Sequence, residues 1–202
     1  MAFDAYMTFQ DSQGNYLKGE SQMQVSSSAA LDDGLTAGQI FEISDFSFDI
    51  EQILNIGSAS SGAGAGKVTF NPYSITRTTD RASPTLFTMC CAGQHFKQVS
   101  LYLRRAGGAA GSVSSGTTAG SATAQSGLTF LRFDFALVAV KTINWTGSDG
   151  DESPKEEVTF EYGALQVRYQ QQDTTGVAKG APTVGAWNQV YNNNNYTTIA
   201  AS

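Results

Sequence analysis

Cys90, Cys91 and His95 are the residues whose types and spacing first suggest chemistry, a thiol nucleophile with a nearby base. The spacing works against it. His95 is the one histidine of the chain and falls beyond the Gly93 that should end a helix over Pro84 to Ala92, so it has no orienting partner in sequence. Two adjacent cysteines on a helix point in different directions and cannot staple distant segments, so the expectation is two buried, inert thiols in a reducing compartment. No second histidine and no C-x-x-C is present to complete a zinc site, and no metal or cofactor is expected.

Two other stretches imitate functional motifs. Gly62 to Thr69 reads GAGAGKVT, yet a phosphate loop needs glycine where Ser61 stands, a hydroxyl where Val68 stands, and a helix to follow. The carboxylates Asp149, Asp151, Glu152, Glu156 and Glu157 lack calcium-loop spacing. With Gly150 and Pro154 among them, they read as a solvated hairpin tip. No convergent set of titratable groups marks an enzyme.

The elements that would position these residues are mostly strands. Ser83 suits an N-cap, Pro84 the first helical position, and Leu86, Phe87, Met89 and Cys90 give the one short helix a wide apolar face. Val99, Leu101 and Leu103 alternate with Ser100, Tyr102 and Arg104 in the strand that follows. Phe3, Ala5, Met7 and Phe9 mark a first strand, Tyr16 to Ser21 a short second one, Lys67 to Tyr73 and Leu128 to Trp145 two more, and Val158 to Gln170 a closing hairpin. Gln22 to Gln39 has neither period and reads as a long projecting loop. Gly57 to Gly66 and Ala106 to Gly127 are Gly/Ala/Ser-rich loops.

Apolar parity switches three times: between Ile43 and Phe46, between Leu137 and Val138, and at Gly163, between Tyr162 and Leu165. Each switch is expected to be a bulge that keeps the apolar residues, Ile50 included, on the core side. Bulges bend strands, so the expected fold is mainly β, a barrel of two packed antiparallel sheets with one short helix.

At 202 residues and 41% hydrophobic content the chain can bury a core. Residues 1–173 form the expected domain and 174–202 a C-terminal extension. A net charge of −6 with 12 scattered Lys and Arg argues against nucleic-acid binding. The start, MAFDAYMTFQD, has no basic n-region and no long apolar run, so neither a Sec-type signal nor membrane insertion is expected, and synthesis is placed in the cytoplasm.

ASPTLFTMCCAGQHFKQVSLYLRRAGG resembles the central segment of the haemolysin-coregulated protein family, Hcp, with its KASP-x-LF, CC, G-x-H and RAGG pattern. The shared positions are Ala82, Ser83, Pro84, Leu86, Phe87, Cys90, Cys91, Gly93, His95 and Val99. FDAYMTF with LKGES, FEISDFSFDIEQ and ESPKEEVTFEYGALQVRY resemble the family's first strands, third strand and closing hairpin. Arg81 stands where lysine is common, and Phe96 where an aliphatic residue is usual.

The resemblance implies a structural tube protein of bacterial type VI secretion systems. Its hexameric rings stack into a hollow tube expelled by a contractile sheath with a spike, carrying effector proteins, and it leaves the cell through that machine without a signal peptide. It also implies a ring-stacking role for the long loop, with Ser26, Ser27, Ser28, Leu31, Asp32 and Asp33 as candidates. The extension after Asp173 has no required family counterpart. At 29 residues with Lys179 as sole charge it is too small to bury a core or host hydrolysis. Trp187, Tyr191 and Tyr196 suit it instead to a clasp, burial of Trp187 alone being worth on the order of 2 to 4 kcal/mol. A competing reading is a monomeric carbohydrate-binding β-sandwich in which Trp145, Trp187 and Tyr191 stack on sugars.

Overall fold

The computed structural model describes residues 3–23, 25, 30–54, 65–105, 127–173 and 178–196. Its backbone is a rolled antiparallel sheet. The strands are β1 (Phe3–Gln10), β2 (Phe41–Ile43), β3 (Asp45–Ser47), β4 (Ile50–Leu54), β5 (Ala65–Phe70), β6 (Tyr73–Thr78), β7 (His95–Arg105), β8 (Thr129–Thr146), β9 (Lys155–Tyr169) and β10 (Thr183–Asn188). The helix α1 (Ser83–Ala92) lies between β6 and β7. Spatial order runs β2-β1-β7-β8-β9-β6-β3, with β10 added to β9, while β4 and β5 form a separate hairpin. Because β2 and β3 are consecutive, joined only through Ser44, the chain itself connects the two ends of that order and rolls the sheet into a barrel. Rolling in this way leaves few free edges.

The alternating residues meet inside. Phe9 packs on Phe41, Phe96 and Phe160 with ring centroids 5.1, 5.3 and 5.9 Å apart, and Tyr73 stacks on Phe135 at 4.5 Å. Phe48, in the bend between β3 and β4, sits edge-on to Phe133 and Phe135. Ile50 does not join them and is exposed at the base of the β4–β5 hairpin.

Two of the expected parity switches prove to be one feature. Leu137 on β8 adopts a left-handed backbone, φ 52°, and falls where the register passes from Ala136↔Ala164 to Val138↔Tyr162, opposite Gly163. Both strands change face together there without slipping. A true register shift comes later, between Val140 and Thr142. At Ser44 the chain breaks into two short strands, Ser44 N–H bonding to Thr76 O at 2.9 Å.

Other segments depart from expectation. Tyr16 to Ser21 is not a strand, because β2 occupies the β1 edge it would need, leaving one bridge from Tyr16 to Gln10. Gly19 passes so close to Ile40 that a Cβ there would collide with the Ile40 carbonyl oxygen. Val158 to Gln170 is not a hairpin but part of one bent strand, the turn lying earlier, between β8 and β9. Ser83 does not cap α1; Ala82 holds that position, and the Ser83 hydroxyl accepts instead from Arg77 at 3.0 Å. Gly93 does end the helix, with φ 63° and Gln94 N–H bonded to Met89 O at 3.1 Å.

Candidate functional site

The thiol and histidine do not assemble. Cys90 is half-buried, whereas Cys91 and His95 are exposed, which corrects the expectation of two buried thiols. The cause is a helix narrower in its contact than its apolar content suggests: Leu86 and Met89 face the barrel while Phe87 and Cys91, one turn apart, face outward. Among the described residues, no group of three or more His, Cys, Asp or Glu is placed to hold a metal ion.

The Gln22 to Gln39 loop is not a projection where it is described. Leu31 and Asp32 are only 1% and 4% exposed, folded down on the polar outer face of β7, β8 and β9. The reason is electrostatic. That face presents Arg104, Arg132 and Arg168, and the loop with β8 supplies Asp32, Asp33 and Asp134, three guanidiniums against three carboxylates. Arg104 lies 3.5 Å from Asp32, Arg132 donates to Asp134 at 2.7 Å and to Asp33 O at 2.6 Å, and Arg168 reaches the other Asp134 oxygen at 2.8 Å. Thr129 donates its hydroxyl to Asp32. Tyr102 lies under the Arg132 guanidinium at 4.6 Å and donates to Asp33 O at 3.0 Å; burial pushes its phenol up to about 12. Charges buried this way are held because each is paired and hydrogen-bonded, so the arrangement straps the loop rather than activating a group. Ser26, Ser27 and Ser28 lie outside the described residues.

A second buried network anchors the helix. Arg77 donates to Glu156 at 3.0 Å and to Asp80 at 2.9 Å, and the other Glu156 oxygen accepts the Trp145 indole N–H at 2.8 Å. Glu156 is fully buried, a correction to its place in the solvated tip, where Asp149, Asp151, Glu152 and Glu157 do lie exposed. One face of Trp145 is left open beside Phe87, with ring centroids 6.1 Å apart.

The C-terminal extension adds β10 to the outer half of β9, with Trp187 opposite Leu165. A turn then closes through Asn188 N–H to Asn193 O at 2.8 Å, and Tyr191 on it is exposed. Tyr196 returns to the strapped face, its hydroxyl buried near Asp134, Arg132 and Arg168, and burial raises its pKa. Gln189, which sequence reading passed over, ties three places together: its backbone N–H bonds Gly163 O at 3.0 Å, its side chain donates to Tyr162 O at 3.0 Å, and it accepts from Phe70 N at 3.2 Å. An amide in a polar, Asn-rich stretch carries no signal of such a role. Trp145 and Trp187 do not form a sugar platform: their β9 neighbours Glu156 and Leu165 are separated by about 30 Å at the usual strand rise.

The family model described as type VI secretion system effector, Hcp, matches residues 6–169, from within β1 to the end of β9. The chain belongs to the Hcp family. It is 31% identical over 122 residues to protein hcp1 of Pseudomonas aeruginosa, a match spanning 60% of this chain and 65% of that protein, slightly less than two thirds of it. Among solved structures, one described as a type six secretion system protein superposes with a TM-score of 0.72 at 22% identity, covering 96% of this chain and all of the other. Hcp1 from Salmonella typhimurium gives 0.61, also at 22% identity, over 96% and 99% of the two chains. The Hcp barrel is thus shared well beyond recognisable sequence likeness. Among the described residues, no helix is long and apolar enough to cross a membrane.

Proposed function

We propose that this chain is the tube subunit of a type VI secretion system, a structural protein rather than an enzyme. Six copies close into a ring, and rings stack into a hollow tube that a contractile sheath drives outward behind a spike, with effector proteins as cargo. The observation that carries this reading is the family match over residues 6–169, which runs from within β1 to the end of β9 and takes in the helix. The strapped loop is consistent with it. Neutralised buried charges give a rigid face rather than a reactive one.

Stacking is assigned to the Gln22 to Gln39 loop, with a division of labour. Leu31 and Asp32 anchor it, and Asp33 with Thr36 and Ala37 supplies its exposed surface. Residues 1–173 form the tube domain, and 174–202 act as a clasp on it through Trp187, Tyr196 and the turn that carries Tyr191.

Light scattering after gel filtration, with negative-stain imaging, tests the proposal. The expected result is a ring of six times the 21.4 kDa chain mass, lengthening into tubes on concentration. A monomer at every concentration overturns it. Arg at both Thr36 and Ala37 should leave the ring mass unchanged and slow tube growth.

A further inference from the structure

Two apolar features at opposite ends of β9 have no partner among the described residues. One is a ridge. Phe87 and Trp145 are 50% and 46% exposed, and Trp145 is fixed in orientation by its bond to the buried Arg77–Glu156 pair. An aromatic held in place before contact loses little freedom on binding, which is the character of an interface anchor. The other is a groove of about 240 Å³ between the β4–β5 hairpin and the β9–β10 ribbon. Ile50, Val68, Phe70, Leu165, Val167 and Trp187 line it, with Gly185 and Ala186 leaving its floor open, and among the described residues no polar side chain enters.

We infer that the Phe87–Trp145 ridge of one copy seats in the Ile50–Trp187 groove of the next copy around the ring. The inference rests on the ring reading above and names the contact that closes it. The ridge adjoins Glu156 and the groove adjoins Leu165, about 30 Å apart along β9, so the ridge of a chain cannot reach the groove of the same chain. A protrusion and a recess at opposite ends of one subunit are what a head-to-tail contact uses, each copy giving its ridge to one neighbour and its groove to the other.

The area also fits. Phe87, Trp145, Ile50 and Trp187 are each between 37% and 50% exposed. At ~150–250 Å² per aromatic side chain, and somewhat less for Ile50, covering the four removes on the order of 300–400 Å² of apolar surface. That is about a fifth to a quarter of the ~1,600 Å² buried in a standard interface, a suitable dry centre for a polar rim. Isolated apolar residues need no explanation, but a fixed aromatic pair and an all-apolar groove on one chain do.

Cysteine pairing tests the contact in the full chain with Cys90→Ala and Cys91→Ala, since Cys91 lies one turn from Phe87. Phe87→Cys alone and Ile50→Cys alone should not cross-link on oxidation; their mixture should give covalent dimers, and the chain carrying both a ladder ending at the closed ring. As a second measure, Phe87→Asp should lower the ring fraction at fixed concentration by tenfold or more with the monomer melting temperature unchanged. If rings form yet the double-cysteine chain stays monomeric in detergent, or either single variant cross-links with itself, the contact is wrong and the ring reading stands. If the unmodified chain forms no ring by mass, the ring reading fails first and this contact falls with it.

Discussion

Leu137 faces Gly163 across the β8–β9 ladder at the point where both strands turn their apolar residues to the other side. A Cβ built on Gly163 would stand 3.2 Å from Leu137 Cδ2 and 3.2 Å from Val190 Cγ2, so the absent side chain makes room for the kink and for the tail turn at once. Gly163→Ala therefore overfills a closed site. The expected cost is about 1 to 3 kcal/mol, read by denaturant unfolding. A variant as stable as the parent would show that the kink tolerates a methyl group and that Gly163 is not what sets it.

Removing Glu156 tests the second network. Glu156→Ala leaves the buried Arg77 guanidinium with Asp80 and Ser83 as its hydrogen-bond partners among the described residues, and frees the Trp145 indole. Breaking one side of a buried pair costs about 3 to 5 kcal/mol. Glu157→Ala, one residue away and exposed, should cost less than about 0.5 kcal/mol. Equal effects would mean that Glu156 contributes only as a surface charge.

The tyrosines make the fold sensitive to alkali. Burial raises the phenol of Tyr102 to about 12 and pushes those of Tyr73, Tyr162 and Tyr196 above the usual value of 10. A folded-state pKa above the unfolded one means that the folded form holds its proton longer. The resulting stability is fully present below pH 10 and is lost as pH rises from 10 through the folded values. For Tyr102 the lost proton is the one donated to Asp33 O, so the loop strap should loosen in that window. Phenolate absorbance should lag behind that of the unfolded chain, and unfolding free energy should fall beyond pH 10. Titration of all tyrosines together near pH 10 with no loss of stability would contradict this.

The strands with clean alternation were legible because period two at Phe3 to Phe9 or Val99 to Leu103 has one structural solution when a face must be buried. The bends were legible as parity switches too. Their form was not, because sequence shows where apolar parity changes but not whether the neighbouring strand changes with it, as Gly163 does for Leu137. The loop was misread for a different reason. Leu31 and Asp32 look solvated among serines and glycines, and only the arginines that the loop meets through Asp32 and Asp33, from 72 to 135 positions later in the chain, draw them down. Phe87 illustrates the converse: its apolar type suggested burial, whereas its position on α1 leaves it half exposed.

The tail offers the sharpest ranking. Its strand covers the β9 edge from Ala164 to Tyr169, and beyond it Gln189 joins Gly163, Tyr162 and Phe70, so it links β9 to the β4–β5 hairpin. Gln189→Ala removes two side-chain hydrogen bonds and leaves the backbone one, for an expected loss of about 1 to 3 kcal/mol. Tyr191→Ala removes a ring that is 59% exposed and should cost less than about 0.5 kcal/mol in the separated subunit. Truncation after Asp173 removes β10 and the Gln189 link together, uncovering Leu165 and Val167, and should destabilise more than either substitution. Denaturant titration of the three variants measures the order directly. Should Tyr191→Ala prove as damaging as Gln189→Ala, the tail would be acting through its aromatic surface and not through the amide that ties it down.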